Sequence, residues 1–430
     1  MVKMADPSAH PHPTQGSLPS SVSPALTFNV IAQQGRARTG RMVLPHYTAE
    51  TPMFMPVGTQ GTVKGLTSQQ LEDLDCHVIL GNTYHLQNRP GSELVAEMGG
   101  LHDFISWQRG MLTDSGGFQM VSLLHLAEIT EEGVTFQSPV DGSRLLLTPE
   151  ESMGIQNRLG ADIMMALDDV VPATANDPAR FLEATHRTTR WIDRCIGAHK
   201  RPTEQNLFGI VQGGLDPVLR RISAAQLVER NLPGYAIGGL AGGESKDDFW
   251  RMVALGAETL PQGKPRYVMG IGYPLDVVVC TALGADMYDS VYPTRTARFG
   301  VALVPSGTLK LKNAAYAQDF EPMDSTCSCM ACKKYTRAYL HNVVTRGIPS
   351  ASILVTYHNV AYMQCLCRRM RESIKEQRFP EFVRDFLRDL HPEGDVPGWV
   401  RDAMVVADIS LQGVATAPLP APAVAPPETV

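Results

Sequence analysis

The feature that most constrains the fold is a series of eight short apolar runs, each ending in Gly or a polar residue and most followed by a helical stretch. Buried strands that alternate with helices indicate a parallel sheet, and eight of them predict a closed (β/α)8 TIM barrel. Such barrels carry their active sites at the carboxyl ends of the strands. The runs are Thr51–Val57, His77–Leu80, Met111–Thr113, Asp162–Leu167, Leu207–Val211, Tyr235–Ile237, Arg266–Met269 and Asp286–Tyr288.

Other segments interrupt or follow this repeat. Val134–Leu147 holds an Asp-Gly pair between two alternating runs, which predicts an inserted β-hairpin. After the eighth run, Val301–Leu311 predicts further β structure and Ser352–Val355 a short apolar strand. A helix is expected from about residue 360 to 377, because its apolar side chains recur on one face.

Both ends of the chain have compositions typical of disorder. The first 25 residues are rich in Ser, Pro and His, and the last stretch consists mostly of Pro and Ala. We therefore expect a disordered tail over 1–25, a catalytic barrel over 26–305, a zinc-binding subdomain with closing helices over 306–411, and a disordered tail over 412–430.

Charge limits the partners that the surface can bind. The chain of 430 residues has a net charge of −6, so its whole surface is not suited to a polyanion. Between residues 290 and 349, however, eight basic residues stand against three acidic ones, a local charge of 8 − 3 = +5. A local site for RNA is one explanation of this excess, and an ordinary solvated surface is the other.

Cysteine usage indicates a reducing compartment with one metal site. Five of the eight cysteines lie in apolar or helical contexts without the spacing of a disulfide framework. No apolar run reaches the length of a membrane span, so we expect no integral membrane association. The first 25 residues also lack the apolar core of a secretory signal.

The remaining three cysteines form the strongest local signal. Cys327, Cys329 and Cys332 place three thiolates within six residues. Three thiolates and one imidazole make a closed tetrahedral zinc site of the structural kind. His358 is the predicted fourth ligand, and His341 is the alternative.

Carboxylates at strand ends suggest covalent chemistry on a nucleic acid. Asp114 and Asp289 both end predicted barrel strands, and a retaining glycosyl transfer uses one carboxylate as nucleophile and another for proton transfer. Asp168 and Gln212 end two further strands and could bind a purine-like base. The alternative is that each Asp merely caps the helix that follows it. Phe118 and Met269 could stack on the two faces of an aromatic ring, and the glycine turn at Gly238-Gly239 could expose backbone N–H groups.

Seven motifs resemble those of the tRNA-guanine transglycosylases, in the family's order, over roughly 27–411. They read TDSGGFQM, MMALDD, GIVQGG, AIGGLAGGE, YVMGIGYP, DMYDSVYPTRTARFG and CSCMAC…TYHN. The resemblance implies an irregular (β/α)8 barrel with one structural zinc per chain. It also implies an enzyme that removes guanine from the wobble position of GUN anticodons and inserts a 7-deazaguanine through a covalent enzyme–ribose intermediate.

The resemblance assigns a role to each matching residue. Asp289 corresponds to the nucleophile, Asp114 to the general acid/base, and Cys327, Cys329, Cys332 and His358 to the zinc ligands. The residues that match base recognition and the pocket lining are Asp114, Ser115, Gly116, Gly117, Phe118, Asp168, Gln212, Gly239, Leu240 and Met269. The residues that match the tRNA-contacting loops are Gly270, Ile271, Gly272, Tyr273, Pro274, Leu275, Asp276, Thr294, Arg295, Thr296, Ala297 and Arg298.

Two positions bear on the branch of the family. Bacterial members have a Glu-Cys-Thr run after the first recognition Asp and a Val-Gly pair in the AIGGLA loop, whereas this chain has Val170 and Gly242 there. The chain therefore resembles the eukaryotic catalytic subunits, which use free queuine base and pair with a noncatalytic paralogue in a heterodimer. That branch implies a cytoplasmic location, with peripheral attachment to the mitochondrial outer membrane as an alternative.

Three rival functions remain at the sequence level. A bacterial-type enzyme would insert 7-aminomethyl-7-deazaguanine instead of queuine. A noncatalytic tRNA-binding adaptor would lack the Asp114 and Asp289 pair, which is present here. A zinc hydrolase would need a cluster of metal ligands at the strand ends, and no His cluster occurs there.

Overall fold

The computed structural model describes residues 18–117, 127–137 and 142–414. The described chain begins with a four-stranded antiparallel sheet that the apolar pattern did not predict. Ser20 pairs with Asn29 in this sheet, so ordered structure begins inside the stretch predicted as a tail over 1–25. The first strand is mostly Ser and none of its side chains is buried, so the sequence shows no apolar pattern there. The strands run in the order β1 (Ser20–Ser23), β2 (Leu26–Gln34), β3 (Ala37–Val43) and β4 (Thr48–Thr51).

The eight predicted runs form a closed parallel barrel, which confirms the predicted fold class. Its first three strands are β5 (Met53–Gly58), β6 (Val78–Gly81) and β7 (Gly110–Thr113). A three-stranded antiparallel sheet is inserted next, with β8 (Glu128–Ile129), β9 (Val134–Gln137) and β10 (Arg144–Leu147). The barrel continues with β11 (Ile163–Met165), β12 (Asn206–Val211), β13 (Gly234–Ile237), β14 (Arg266–Val268) and β15 (Met287–Ser290). The last strand pairs with the first, because β15 runs parallel to β5.

The core has two layers, as the period of two along a strand requires. Met53, Met55 and Val57 of β5 belong to the cluster that fills the barrel. Phe54, between them, belongs to the cluster that lies between the barrel and the helices. Strands buried on both faces read as continuous apolar runs, which is why the sequence displays them clearly.

Helices cover the outside of the barrel, and their starts follow local chemistry. The side chains of Thr148, Asp177 and Asp216 each accept a hydrogen bond from a backbone N–H in the first turn, and Pro follows each of them. The helices of this region are α1 (Ser68–Asp73), α2 (Thr83–Asn88), α3 (Ser92–Glu97), α4 (Leu101–Phe104), α5 (Pro149–Leu159), α6 (Pro178–Ala198), α7 (Pro217–Glu229), α8 (Lys246–Thr259), α9 (Pro274–Ala282) and α10 (Tyr292–Arg298).

The C-terminal region docks on the barrel through its longest helix. Gln364 and Arg371 of that helix donate hydrogen bonds of 3.0 Å each to the carbonyls of Phe54 and Pro52. The predicted boundary between 305 and 306 falls in the turn of a β-hairpin. The elements are β16 (Val301–Val304), β17 (Gly307–Lys310), a 3-10 helix (Ala314–Tyr316), α11 (Met330–Lys334), α12 (Arg337–Thr345), α13 (Pro349–Lys375), α14 (Phe379–Leu390) and α15 (Gly398–Val406).

One local prediction was wrong. Ser352–Val355 is not a strand but part of α13, which starts at Pro349, well before the predicted start near residue 360. A short apolar run has the same appearance in a buried helix and in a buried strand, so its periodicity does not distinguish them. Within the described ranges, no helix combines the length and the apolar character that a membrane crossing requires.

Candidate active site and metal centre

Four predicted site residues meet at one rim of the barrel. Asp114 directly follows β7, Asp168 follows β11 and Gln212 follows β12. Asp289 is the next-to-last residue of β15. In a parallel barrel all carboxyl ends open on the same face. The fold therefore gathers side chains that are far apart in sequence.

Asp289 is held through one of its two oxygens. The hydroxyl of Tyr267 donates to its Oδ1 at 2.5 Å, and the backbone N–H of Gly270 donates to the same atom at 2.8 Å. Among the described residues, Oδ2 has no hydrogen-bond partner. Burial raises the pKa of Asp289, and the negative charge of Asp114 adds to that rise, while the bonds from Gly270 and Tyr267 oppose it.

Asp114 is fixed by the end of the neighbouring strand β6. The backbone N–H of Thr83 donates to Oδ1 of Asp114 at 2.8 Å, and the side-chain amide of Asn82 donates to Oδ2. The hydroxyl of Thr83 also donates to the backbone carbonyl of Asp114. Asp114 is 8% exposed, so it is largely buried.

Asp168 lies in a small polar network. The side-chain amide of Gln212 donates to its Oδ2 at 2.6 Å, and the hydroxyl of Ser115 lies 3.4 Å from its Oδ1. Burial raises the pKa of Asp168 to about 7, and the charge of the adjacent Asp169 adds to the rise. Asp169 itself is engaged by Arg180 and Arg187, so it belongs to the framework behind the site.

These contacts argue against the alternative that the three carboxylates only cap helices. The described partners of Asp114, Asp168 and Asp289 lie on neighbouring strand ends. The helix after Asp289 starts at Tyr292 without any side-chain cap. For Asp168 and Asp289, the described contacts thus hold the carboxylate at the rim and not on the helix that follows it.

Glycines shape the wall beside Gln212. A Cβ on Gly239, whose φ is +65°, would overlap Oε1 of Gln212, and a Cβ on Gly238 would come within 3.5 Å of Sδ of Met269. Gly242, in contrast, faces open space, because the nearest atom to a Cβ there is the backbone nitrogen of Ala173 at 3.8 Å. The turn therefore has a tight part next to the amide and an open part farther along.

The remaining predicted pocket residues have mixed positions. Ser115 is buried at 4%, whereas Leu240, Met269 and Val170 are half-buried. Gly116 has a φ of +84° and packs on Tyr84. Phe118, the other predicted stacking residue, lies outside the described residues.

The predicted tRNA loops present only some of their side chains. Ile271, Thr294 and Ala297 are buried, and buried Asp276 accepts a hydrogen bond of 2.5 Å from Lys246. The exposed side chains include Tyr273, Arg295 and Arg298. The exposed side chains of the two predicted loops thus include an aromatic ring and two cations.

The metal centre forms where the predicted ligands converge. One ligand atom from each of Cys327, Cys329, Cys332 and His358 lies within 4.8 Å of the others, so the cluster can hold a metal ion. His358 offers Nδ1, which is 3.3 Å from Sγ of Cys332 and 3.7 Å from Sγ of Cys329. Its Nε2 lies 2.7 Å from the carbonyl of Leu303 and donates to it, which leaves Nδ1 unprotonated for a metal.

His341, the alternative fourth ligand, has a different contact. Its Nδ1 lies 2.8 Å from the carbonyl of Leu311. His358 lies in the middle of α13, whereas the helix predicted from about residue 360 would have started just after it, because α13 extends three turns farther toward the N-terminus.

Sequence reasoning missed the residues that orient the carboxylates. Asn82 and Thr83 follow a strand end already recognised as polar and Tyr267 lies within an apolar strand, but nothing in the spacing links them to Asp114 or Asp289. A Gly-Asn-Thr run directly after a buried strand was the only available signal.

A cluster of two histidines and one aspartate lies at the opposite end of the barrel. Asp162 precedes β11 and contacts His46 at 2.8 Å and His102 at 3.3 Å, and the two imidazole rings stack with centroids 3.7 Å apart. Burial opposes ionisation of Asp162, but bonds from both histidines outweigh it and lower the pKa of Asp162 to about 2. Its oxygens also accept the backbone N–H groups of His46 and Met111, so this network closes the barrel floor.

Comparison with known proteins agrees with this geometry. A family model described as queuine tRNA-ribosyltransferase matches residues 33–392. The queuine tRNA-ribosyltransferase catalytic subunit of Schizosaccharomyces pombe is 50% identical over 403 residues, which cover 91% of this chain and 99% of that protein. The Caenorhabditis elegans protein of the same name is 48% identical over 395 residues, 88% of this chain and 98% of that protein.

A bacterial protein is similar to the same extent. The queuine tRNA-ribosyltransferase of Thermus thermophilus is 49% identical over 378 residues, which cover 88% of this chain and 97% of that protein. The similarity thus extends over nearly the whole length of relatives from both branches. Because the family model covers most of the chain and the rim residues match the family's motifs, the chain belongs to the queuine tRNA-ribosyltransferase family, the tRNA-guanine transglycosylases.

Proposed function

We propose that this chain exchanges the wobble guanine of GUN-anticodon tRNAs for queuine by double displacement. The observation that carries the proposal is Asp289, whose Oδ1 is held by two donors and whose Oδ2 has no described partner, with Asp114 on the same rim. The names of the relatives, which all contain queuine tRNA-ribosyltransferase, support the choice of reaction.

Asp289 is the proposed nucleophile. Its Oδ2 attacks C1′ of the target ribose, a C1′–O bond forms, and the glycosidic C1′–N9 bond breaks. Tyr267 and Gly270 keep the carboxylate from rotating, so the attacking oxygen stays directed toward the rim. Guanine leaves with the electron pair of the broken bond.

Asp114 is the proposed general acid/base. It delivers a proton to the departing guanine, and it later takes a proton from the incoming 7-deazaguanine. The nitrogen of that base then attacks C1′ and releases Asp289. The bonds from Asn82 and Thr83 orient Asp114 for both transfers.

Asp168 and Gln212 are the proposed base readers. A guanine-like edge presents N–H donors, and an ionised Asp168 supplies acceptors for them. In the described structure Gln212 occupies Oδ2 of Asp168, so base binding replaces that contact with bonds to the ligand. Ser115, Gly239 and Leu240 complete the proposed pocket wall.

Queuine is favoured over the smaller bacterial substrate by the open part of the pocket turn. Queuine carries a bulky cyclopentenediol on its aminomethyl arm, and Gly242 leaves space where bacterial members have Val. Val170 is the second position that differs from the bacterial pattern. Insertion of 7-aminomethyl-7-deazaguanine remains the second candidate, which the similarity to the Thermus protein favours.

Zn²⁺ is the proposed metal at Cys327, Cys329, Cys332 and His358. Three thiolates and one imidazole are the ligand set of closed structural zinc sites, and the hydrogen bond from His358 to Leu303 fixes the tautomer that such a site needs. When bound, the ion would join α13 to the loop before α11 and leave no coordination position for water.

A noncatalytic paralogous subunit is the proposed partner, in a heterodimer. Two relatives are named catalytic subunits, which supports this part of the proposal. The reduced cysteines support a cytoplasmic location, and peripheral attachment to the mitochondrial outer membrane remains the alternative.

Guanine exchange on a GUN-anticodon tRNA tests the function, with and without a candidate partner subunit. Asp289→Asn should still bind tRNA but form no denaturant-resistant adduct, because a neutral amide does not attack C1′. An adduct with Asp289→Asn would remove Asp289 as nucleophile. Asp114→Asn should lower turnover by about 10²–10⁴-fold, and a loss below about tenfold would remove Asp114 from the mechanism.

A further inference from the structure

Two tyrosines form an aromatic pair beside the nucleophile. Tyr273 comes directly before α9, and Tyr292 is the first residue of α10. Their ring centroids lie 4.1 Å apart with an interplanar angle of 38°. Tyr273 is 54% exposed, so part of its ring faces solvent.

Both rings are tied to the segments that hold Asp289. Gly270, three residues before Tyr273, donates its backbone N–H to Asp289. Tyr292 follows Asp289 by three residues in the chain. A Cβ on Gly272 would overlap Cβ of Ser290 and lie 3.2 Å from Cβ of Tyr292, so the two segments pack with no space between them.

The exposed ring has a lysine beside it as well as Tyr292. Lys246 lies with its Nζ 5.5 Å from the ring centroid of Tyr273 and 2.5 Å from Oδ2 of Asp276. Asp276 is in the first turn of α9, so the same lysine anchors the ring and the helix that follows it. A ring fixed in this way loses little conformational entropy when a ligand stacks on it.

Two cations lie on the helix that begins with Tyr292. Arg295 and Arg298 are exposed, and in the part of the chain that the structure describes neither forms an ion pair. Unpaired guanidinium groups next to an exposed aromatic face are the arrangement that binds the backbone and the bases of a single-stranded nucleic acid.

We propose that Tyr273, supported by Tyr292, is a stacking platform for an unpaired base adjacent to the exchanged guanosine. Chemistry at C1′ requires the target nucleotide to leave the base stack, which exposes a neighbouring base. The ring of Tyr273 takes the place of the lost stacking partner. This inference rests on the proposed function and gives Tyr273, a residue of the predicted tRNA loops, a contact that acts through stacking and not through charge.

The test combines a protein variant with a modified RNA. The full-length protein is titrated with an anticodon stem-loop that is intact, or abasic at the nucleotide before or after the target guanosine. Tyr273→Ala should weaken binding of the intact RNA by at least about fivefold, the lower end of what about 1–3 kcal/mol of base stacking gives. With the abasic RNA that lacks the stacked base, wild-type and Tyr273→Ala should bind equally.

A conservative variant separates stacking from folding. Tyr273→Phe keeps the ring and should bind the intact RNA within about twofold of wild type, since the hydroxyl does not stack. Unchanged binding by Tyr273→Ala, or an equal loss on both abasic RNAs, would overturn the platform. Guanine exchange by the wild-type protein is measured separately, so a failure of the proposed function is distinguishable from a failure of stacking.

Discussion

Three aspartates of similar sequence context acquire different properties from their neighbours. Asp289 has two donors on one oxygen, Asp114 has donors on both, and Asp168 accepts from an amide that a ligand can replace. The sequence identifies all three as strand-end carboxylates. It does not reveal which groups hold them, because Asn82 and Tyr267 approach Asp114 and Asp289 only when β6 pairs with β7 and β14 pairs with β15.

Base affinity should depend on the ionisation of Asp168. Its pKa is about 7 in the free protein, so the group is mostly protonated at pH 6 and mostly ionised at pH 8. Only the ionised form offers acceptors to the N–H edge of the base on both oxygens. Affinity for the free base should therefore rise with pH up to about 7, by at most about tenfold per pH unit, and level off above.

Isothermal titration with the free base at several pH values checks this expectation. Asp168→Asn carries no titratable group, so its weaker base affinity should change much less between pH 6 and 8. An affinity of the wild-type protein that does not vary over this range would contradict the role of Asp168.

Gly242 should set the tolerance for large bases. A Cβ there meets no protein atom closer than 3.8 Å, so Gly242→Val should fold normally and place its methyl groups in the space for the ligand. Forcing a group into an occupied space costs about 1–3 kcal/mol, or roughly 5- to 150-fold in affinity. KM for queuine should rise at least about tenfold, while guanine exchange stays nearly unchanged.

Steady-state kinetics with both bases provides the measurement. Gly197→Val is a matched control, because Gly197 also faces open space but lies on α6, outside the site. An equal loss for both bases would indicate a damaged turn. No loss for queuine would favour the bacterial-type substrate.

Among the secondary-structure elements, the degree of burial determined which ones the sequence predicted correctly. The barrel strands are apolar on both faces and were found within a few residues of their bounds. The half-exposed strand β1 gave no such pattern, and Ser352–Val355 gave a misleading one because a long buried helix contains short apolar runs. Strand β1 and the first part of helix α13 could therefore be assigned only from the structure.

Loss of the proposed zinc should destabilise α13 and its contacts with the barrel. This helix carries His358 in its middle and bonds to the barrel through Gln364 and Arg371 farther on. His358→Ala should release the zinc. A loss of about 1 kcal/mol in the free energy of unfolding lowers Tm by about 2–4 °C in a large domain. Loss of the metal should therefore lower Tm by at least about 5 °C.

Elemental analysis together with a thermal melt tests this outcome. His341→Ala removes a histidine that contacts the carbonyl of Leu311 instead of the cysteines, and it should keep one zinc per chain. Full zinc occupancy in His358→Ala would require another fourth ligand.

At the scale of the molecule, a protein of net negative charge is expected to bind tRNA through a locally positive stretch. The charge of −6 is not spread evenly, because the stretch from 290 to 349 is positive. Within it, Arg298 and Lys334 are exposed on different elements, α10 and α11. Their separation in the fold suggests that tRNA contacts both the barrel rim and the metal region.

Salt titrations of tRNA binding should detect each of these contacts. Replacing one phosphate-binding cation lowers the magnitude of the slope of log K against log salt by about 0.7–0.9. We expect this decrease for Arg298→Gln and Lys334→Gln, with unchanged affinity for the free base. Arg221→Gln on the outer helix α7 should leave the slope unaltered, and unaltered slopes in all three variants would move the RNA footprint elsewhere.

The pairing of β15 with β5 has a consequence for how the protein is made. Asp289 lies opposite Met55 in that pairing. More than half of the chain must therefore be synthesised after the first barrel strand before the edge of that strand is covered. Until then the nascent barrel is an open sheet with two free edges, the form of β structure most prone to aggregate. The proposed nucleophile Asp289 lies on the strand that ends this exposure, so a chain that terminates early should be both unclosed and inactive.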